Sequence, residues 1–224
     1  MATTELVIDL RSVTTPADAA TVAGPHSEHW ILDTASAASV IGVHFRPGGA
    51  FPFFEFPAGE LHNVRVSLEA LWGARSQFLV EQVLAASTPD EKFDVLERVL
   101  LSTARTLSRH RAVSFALHAL SDPARSRPVA EVTDAIGMSQ RRFLERFRNE
   151  VGMSPKLFAR VQRFQAVIET VHTLREVDWA DVASQCGYFD QAHFIHDFRA
   201  FSGFTPTAYF ALKNEHRNHV PLPD

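Results

Sequence analysis

The sequence predicts a mainly α-helical protein with a β-rich N-terminal region and a C-terminal all-α domain, made of two helix-turn-helix units joined by a long helix. Three observations predict it. Short β-branched runs alternate with turn residues over the first sixty-odd positions, the apolar period becomes helical from Ser67, and the last hundred residues carry one pattern twice. With 224 residues, 46% hydrophobic and 21% charged, the composition is that of an ordinary globular chain with length enough for a core. Disordered, collagen-like and fibrous classes are thereby excluded. The one cysteine, Cys186, excludes a disulfide framework and a Cys-clustered zinc site, and it suits a reducing cytosol. No apolar run approaches the ~20 residues of a membrane span, and the first residues lack the basic start of a signal peptide. A cytoplasmic protein with no membrane partner is expected.

Leu6–Leu10 and Ser39–Phe45 are β-branched runs and predict strands, separated by turn-rich Thr14–Asp18 and Gly24–Ser27. Arg46-Pro47-Gly48-Gly49 predicts a turn, because proline presets one φ angle and the glycines supply positive φ. A phosphate cradle would need a helix N-terminus after it, and Phe51-Pro52-Phe53-Phe54 is a poor one. Leu68, Leu71, Trp72, Phe78, Leu79, Val83 and Leu84 follow helical spacing from Ser67 onward. Thr88 as N-cap with Pro89 at the first helical position opens another helix, whose apolar stripe reads Phe93, Leu96, Val99 and Leu100. The polar stretch Arg105–Arg111 predicts a linker. A helix over Ala112–Leu120 follows, ended by Asp122 before Pro123.

The duplicated pattern is the most informative feature. Its first copy runs from Val132 through Ile136-Gly137-Met138-Ser139 and Phe143/Phe147 to Gly152 and Ser154-Pro155. The second runs from Val182 through Cys186-Gly187-Tyr188 and Phe194/Phe198 to Gly203 and Thr205-Pro206. The offset between copies is 50 up to Gly137/Gly187 and 51 from Phe143/Phe194, so the second turn holds one extra residue. Each copy reads as a short apolar helix, a glycine in left-handed conformation, an N-cap (Ser139 or Asp190), and a second helix with an apolar pair four apart. The paired phenylalanines face inward, which turns Gln140, Arg141 and Glu145 outward. That is helix-turn-helix architecture, with a second helix shaped to enter a DNA major groove N-terminus first.

Charge follows the same division. Residues 125–163 carry nine Lys/Arg against four Asp/Glu, whereas residues 1–120 and 164–224 are each net −4, within an overall charge of −4. A basic run is by itself compatible with a solvated helix face, but here it coincides with the first unit.

With Gly-x-Ser, Phe-Leu-x-Arg-Phe and Gly-x-Ser-Pro in the first copy and Gly-Tyr-x-Asp-Gln-x-x-Phe in the second, the stretch 112–212 resembles the AraC/XylS family of bacterial transcription regulators. The resemblance implies two units bridged by one helix, here Lys156 to about Leu174, with Leu157, Phe158, Val161, Phe164, Val167, Ile168 and Val171 buried between them. More loosely, Val43-x-Phe-Arg-Pro-Gly-Gly and Leu68-x-x-Leu-Trp-Gly resemble the N-terminal region of some AraC-like regulators. Those carry more sequence ahead of it, so an incomplete ligand pocket is expected.

The layout implied is a sensor or dimerisation region over 1–108, the DNA-binding domain over 112–212 and a tail over 213–224. By the resemblance, Ser139, Gln140, Arg141 and Arg142 start the first recognition helix. Arginine can pair bidentately with guanine and glutamine with adenine, each worth about 1–3 kcal/mol of discrimination. Arg146, Arg148 and Arg163 suit phosphate contacts or ion pairs that brace the fold with Glu145 and Glu150. The second unit offers Asp190, Gln191 and His193, with acidic surroundings that should repel phosphates, so the first unit is expected to dominate affinity. Thr133, where the repeat partner is Ala183, is expected to shift helix docking slightly.

Double-stranded DNA is the implied partner; a small-molecule effector, RNA polymerase and a second copy of the chain follow only from the family layout. No cofactor and no metal are expected: His26, His29, His44 and His62 lack a fixed ligand spacing, and His193 and His196 lack a carboxylate ligand pattern. An enzyme is not expected, since Cys186 falls on an apolar helix position and no Gly-x-Ser-x-Gly elbow occurs. A protein-interaction module with degenerate DNA binding is the alternative, suggested by the acidic second unit.

Overall fold

The structure is a computed structural model that describes residues 1–11, 19–31, 39–105, 109–123, 127–214 and 220. The predicted turn Thr14–Asp18, part of the predicted linker and most of the 213–224 tail lie outside the described residues. The N-terminal part is a four-stranded antiparallel sheet of β1 (Glu5–Asp9), β2 (Ala20–Ala23), β3 (Val40–His44) and β4 (Arg65–Ser67), in the order β3-β1-β2-β4. In β1, Leu6 and Ile8 alternate into the core and pair with Val22 and Ala20 on one side and Val43 and Ile41 on the other.

The sequence signalled β1 and β3 and missed β2 and β4. The alanine-rich Ala20-Thr21-Val22-Ala23 has little β propensity, and the three residues of β4 run straight into a helix, so pairing with the sheet decides both. A 3-10 turn (Ala58–Glu60) lies between β3 and β4.

The helical reading from Ser67 divides in two: α1 (Leu68–Trp72), capped by the Ser67 hydroxyl, and α2 (Ala74–Ala85), broken at Gly73 with φ 58° and ψ −137°. α3 (Pro89–Thr103) carries a full capping box, in which Thr88 accepts from the Glu91 amide while Glu91 accepts from the Thr88 amide. Two parts of the predicted stripes are corrected. Phe78 and Leu84 on α2 and Phe93 on α3 are exposed, and Ser76, Val80 and Val95 are buried in the hairpin instead. The two helices pack on each other, so the buried side is set by that contact rather than by which residues are most apolar. These elements and the sheet share one core that includes Leu6, Ile8, Leu68, Leu79, Val83 and Leu96.

The C-terminal part is all helical: α4 (Arg111–Ser121), α5 (Val129–Ile136), α6 (Gln140–Val151), α7 (Pro155–Thr173), α8 (Trp179–Gln185), α9 (Gln191–Ser202) and α10 (Pro206–Leu212). α4 buries Val113, Ala116, Leu117 and Leu120 as its spacing predicts. α7 is the predicted bridge. Its Phe158 meets Phe147 of the first unit at 5.8 Å between ring centroids, while Phe164 meets Phe198 and Phe201 of the second at 5.2 and 5.4 Å. One continuous core therefore spans both units. Thr133 returns its hydroxyl to the Val129 carbonyl at 2.8 Å, so its polar atom is satisfied within its own helix.

The N-terminal part is joined to this core. Ala2 is buried within it and donates its amide to the His26 carbonyl at 3.2 Å. The segment carrying His26 touches the ends of both units: Pro25 abuts Gly152, and the His29 ring abuts Gly203. His26 lies against Trp30, with ring centroids 3.8 Å apart. Burial, assisted by the chain's amino terminus, His62 and Arg65, holds its imidazole pKa down at about 4.

Three expected outcomes follow from these contacts. Phe198→Ala should lower unfolding free energy by about 3–5 kcal/mol in denaturant titration, as for a fully buried aromatic. Thr88→Ala should cost about 1 kcal/mol by loss of the cap. Because His26 stays neutral in the fold while the unfolded chain takes up a proton below the ordinary 6.5, stability should fall as pH drops from 6.5 towards 4. His26→Gln should flatten that part of the stability–pH curve.

Candidate nucleic-acid interface

In the first unit α5 ends at Gly137, whose φ of 65° and ψ of 26° form the left-handed cap the sequence predicts. α6 then starts after Ser139. Phe143 and Phe147 are fully buried, so the helix has one fixed rotation about its axis. That rotation leaves Gln140, Arg141, Arg142, Glu145, Arg146 and Arg148 exposed. Ser139 has the extended backbone of an N-cap, but its hydroxyl makes no capping bond. The first-turn amides of α6 thus carry no side-chain cap, and a helix start in that condition favours an anionic acceptor.

The three arginines read as either phosphate contacts or braces each have a neighbour within the protein. Arg146 lies 3.7 Å from the carboxylate of Glu150. Glu150 is buried, accepts the His110 amide at 3.1 Å, and has its carboxyl pKa pushed up by burial. Arg148 lies against Gly59 of the 3-10 turn. Arg163 lays its guanidinium over the Tyr188 ring, 5.5 Å from the centroid.

In the second unit Asp178 caps α8 through the Ala180 and Asp181 amides, and Gly187 again has positive φ. Asp190 accepts the His193 amide at 2.7 Å, a true cap where Ser139 gives none. Phe194 and Phe198 are fully buried and Gln191 is exposed. His193 turns its Nε2 back to within 3.5 Å of Asp197. Asp197 is 1% exposed and binds the Arg160 guanidinium of α7 at 2.7 and 3.1 Å. This pair, absent from the sequence reading, ties the bridge helix to the second recognition helix. Its signal was available: Asp197 falls on the same inward stripe as Phe194, Phe198 and Phe201, where a carboxylate requires a buried cation. The extra residue of the second turn is Phe189, which is 94% exposed beside the start of α9.

Cys186 is buried at the predicted apolar position, and burial pushes its thiol pKa up, the opposite of an activated thiol. Among the described residues no three His, Cys, Asp or Glu side chains group closely enough to hold a metal ion, and no helix is long and apolar enough to cross a membrane.

Residues 132–211 match a family model described as a helix-turn-helix domain, and residues 2–67 match one described as a domain of unknown function (DUF6597). No curated protein matches the chain. Among solved structures, ToxT from Vibrio cholerae is 15% identical, over 60% of this chain and 54% of its own, with a TM-score of 0.39. An apo variant of ToxT from Vibrio cholerae strain SCE256 is 14% identical, over 93% and 85%, with a TM-score of 0.44. The chain therefore spans about half the length of the first of these. The matched domain and the duplicated scaffold agree that the C-terminal part carries a helix-turn-helix domain.

Proposed function

We propose that this chain is a DNA-binding transcription regulator of the AraC/XylS type, which reads sequence chiefly through the first unit, with Gln140, Arg141 and Arg142 against base edges and the second unit adding Asp190, Gln191 and His193. The observation that carries this reading is the fixed rotation of α6. Two buried phenylalanines hold it so that consecutive arginines in its first turn stay in solvent, where bidentate pairing with guanine is available to them. At the equivalent place α9 offers glutamine, alanine and a histidine turned towards a buried carboxylate, a weaker set for phosphates and bases alike.

The N-terminal lobe, taken as 1–108, acts in this reading as an effector sensor or a dimerisation surface for the 112–212 domain, with 213–224 as a tail. Self-association is supported by apolar side chains left on the α2–α3 hairpin, where Phe78, Phe93 and Leu101 are each more than half exposed. The site of action is the cytoplasm, with duplex DNA and RNA polymerase as partners.

Selection of bound duplexes from a random library, followed by titration of variants on the best duplex, tests this function. Arg142→Ala should weaken specific binding about tenfold or more, and His193→Ala by less. The logarithm of affinity should fall steeply with the logarithm of salt concentration, by about 0.9 per phosphate neutralised. Equal losses in the two variants would mean that both units contribute alike. Failure to enrich any sequence, with no salt-dependent binding, would favour a protein-interaction module instead.

A further inference from the structure

The second turn of the repeat holds one residue more than the first, and that residue is Phe189. On either side of it the two units correspond one to one. Met138 matches Tyr188, Ser139 matches Asp190, and Gln140, Arg141 and Arg142 match Gln191, Ala192 and His193. The second recognition helix therefore keeps the glutamine of the first, loses both arginines and gains an aromatic ring directly before its cap.

Phe189 is 94% exposed, more than any other large apolar side chain among the described residues. Single apolar side chains on a surface are ordinary, so exposure alone says nothing about a partner. The setting of this one does. Tyr188 is buried, packs against Phe194 with ring centroids 5.3 Å apart, and donates its amide to the Ala183 carbonyl at 2.9 Å. Asp190 has extended backbone, with φ −149° and ψ 168°, and accepts the His193 amide at 2.7 Å. The ring thus stands between two anchored neighbours, held out at the tip of the turn. A recognition helix enters the major groove N-terminus first, so residues at its start are the ones that reach base edges. Gln191 and Ala192 are exposed there too, while His193 turns back towards Asp197.

The chemistry of that set selects one kind of base pair. Guanine offers two acceptors in the major groove, and the first turn of α9 has no arginine to meet them. Glutamine matches the donor and acceptor of adenine. Phenylalanine and alanine match the methyl group that thymine alone of the four bases carries there. We infer that Phe189 is a specificity residue of the second unit, packing with Ala192 on thymine methyl groups while Gln191 takes adenine. The second half-site is accordingly rich in A·T pairs. The affinity it adds is apolar and weakly dependent on salt, unlike that of the arginine-led first unit.

This role presupposes the proposed reading of DNA by the chain, and the test separates the two. Duplexes are selected from a random library with the full chain. Thymines of the best duplex are then replaced singly by deoxyuridine, which removes only the methyl group. At one of them the replacement should weaken binding about fourfold, the worth of one buried methylene-sized group. Phe189→Ser should weaken binding to the unmodified duplex about tenfold. It should leave the unfolding midpoint where it was, because the ring is almost wholly in solvent in the free protein. In that variant the same deoxyuridine should cost nothing further. Phe189→Leu, which keeps an apolar tip, should retain most of the affinity and the methyl dependence. If Phe189→Ser binds as tightly as the parent, or weakens without abolishing any methyl effect, Phe189 has no such role and reading through the first unit stands. Transcriptional output lost with DNA binding unchanged would mean a protein partner at Phe189, and overturns the role likewise. Absence of any duplex bound by the parent overturns both.

Discussion

The structure depends on the seating of phenylalanines from two separate units along one helix. Phe158 and Phe164, both on α7, engage Phe147 on one side and Phe198 with Phe201 on the other. Each aromatic buries a large apolar area and prefers tilted, edge-to-face contacts, so the rings fix the rotation of α6 and α9 as well as their depth. That rotation is what exposes the first turn of each recognition helix. Without it the polar residues at those turns would have no common direction to face.

The two units share a backbone plan and differ in where they place charge. Arg146 and Asp197 occupy equivalent positions, 51 residues apart, yet one is an exposed cation beside a buried Glu150 and the other a buried anion beside Arg160. A buried carboxylate needs a cation beside it, and each unit supplies a different one, Arg146 for Glu150 and Arg160 for Asp197. In the first unit the arrangement keeps positive charge on the outer face of α6. In the second it draws Arg160 towards the interior and turns His193 towards its own helix. The duplication thus gives one scaffold with two electrostatic characters, and only the first suits strong attraction to phosphates.

The N-terminal lobe uses the same duplication for its own purpose. Gly152 and Gly203 end equivalent helices with positive φ, and both meet the Pro25–His29 segment. A side chain at Gly152 would collide with that segment and one at Gly203 would crowd it, so the caps that finish the helices also give the lobe room to dock. Lobe and helices are in contact through residues 25, 29, 58 and 59.

Much of this was determined by the sequence alone. The repeat, the glycine turns, the Asp190 cap, the Thr88 capping box and the inward Phe143/Phe147 and Phe194/Phe198 pairs depend on spacing and local chemistry, which act within one helix or turn. Exposure of Gln140, Arg141 and Glu145 follows directly from those pairs. Tertiary structure decided the rest. The strands Ala20–Ala23 and Arg65–Ser67 exist because neighbouring strands offer hydrogen bonds, since their own propensity is weak. Phe78 and Phe93 are exposed because hairpin packing selects another face. The Arg160–Asp197 pair joins residues 37 apart, and the approach of Gly59 to Arg148 joins two parts of the chain that no local period connects. Contacts of that kind depend on how finished elements dock, and a one-dimensional pattern carries no term for it.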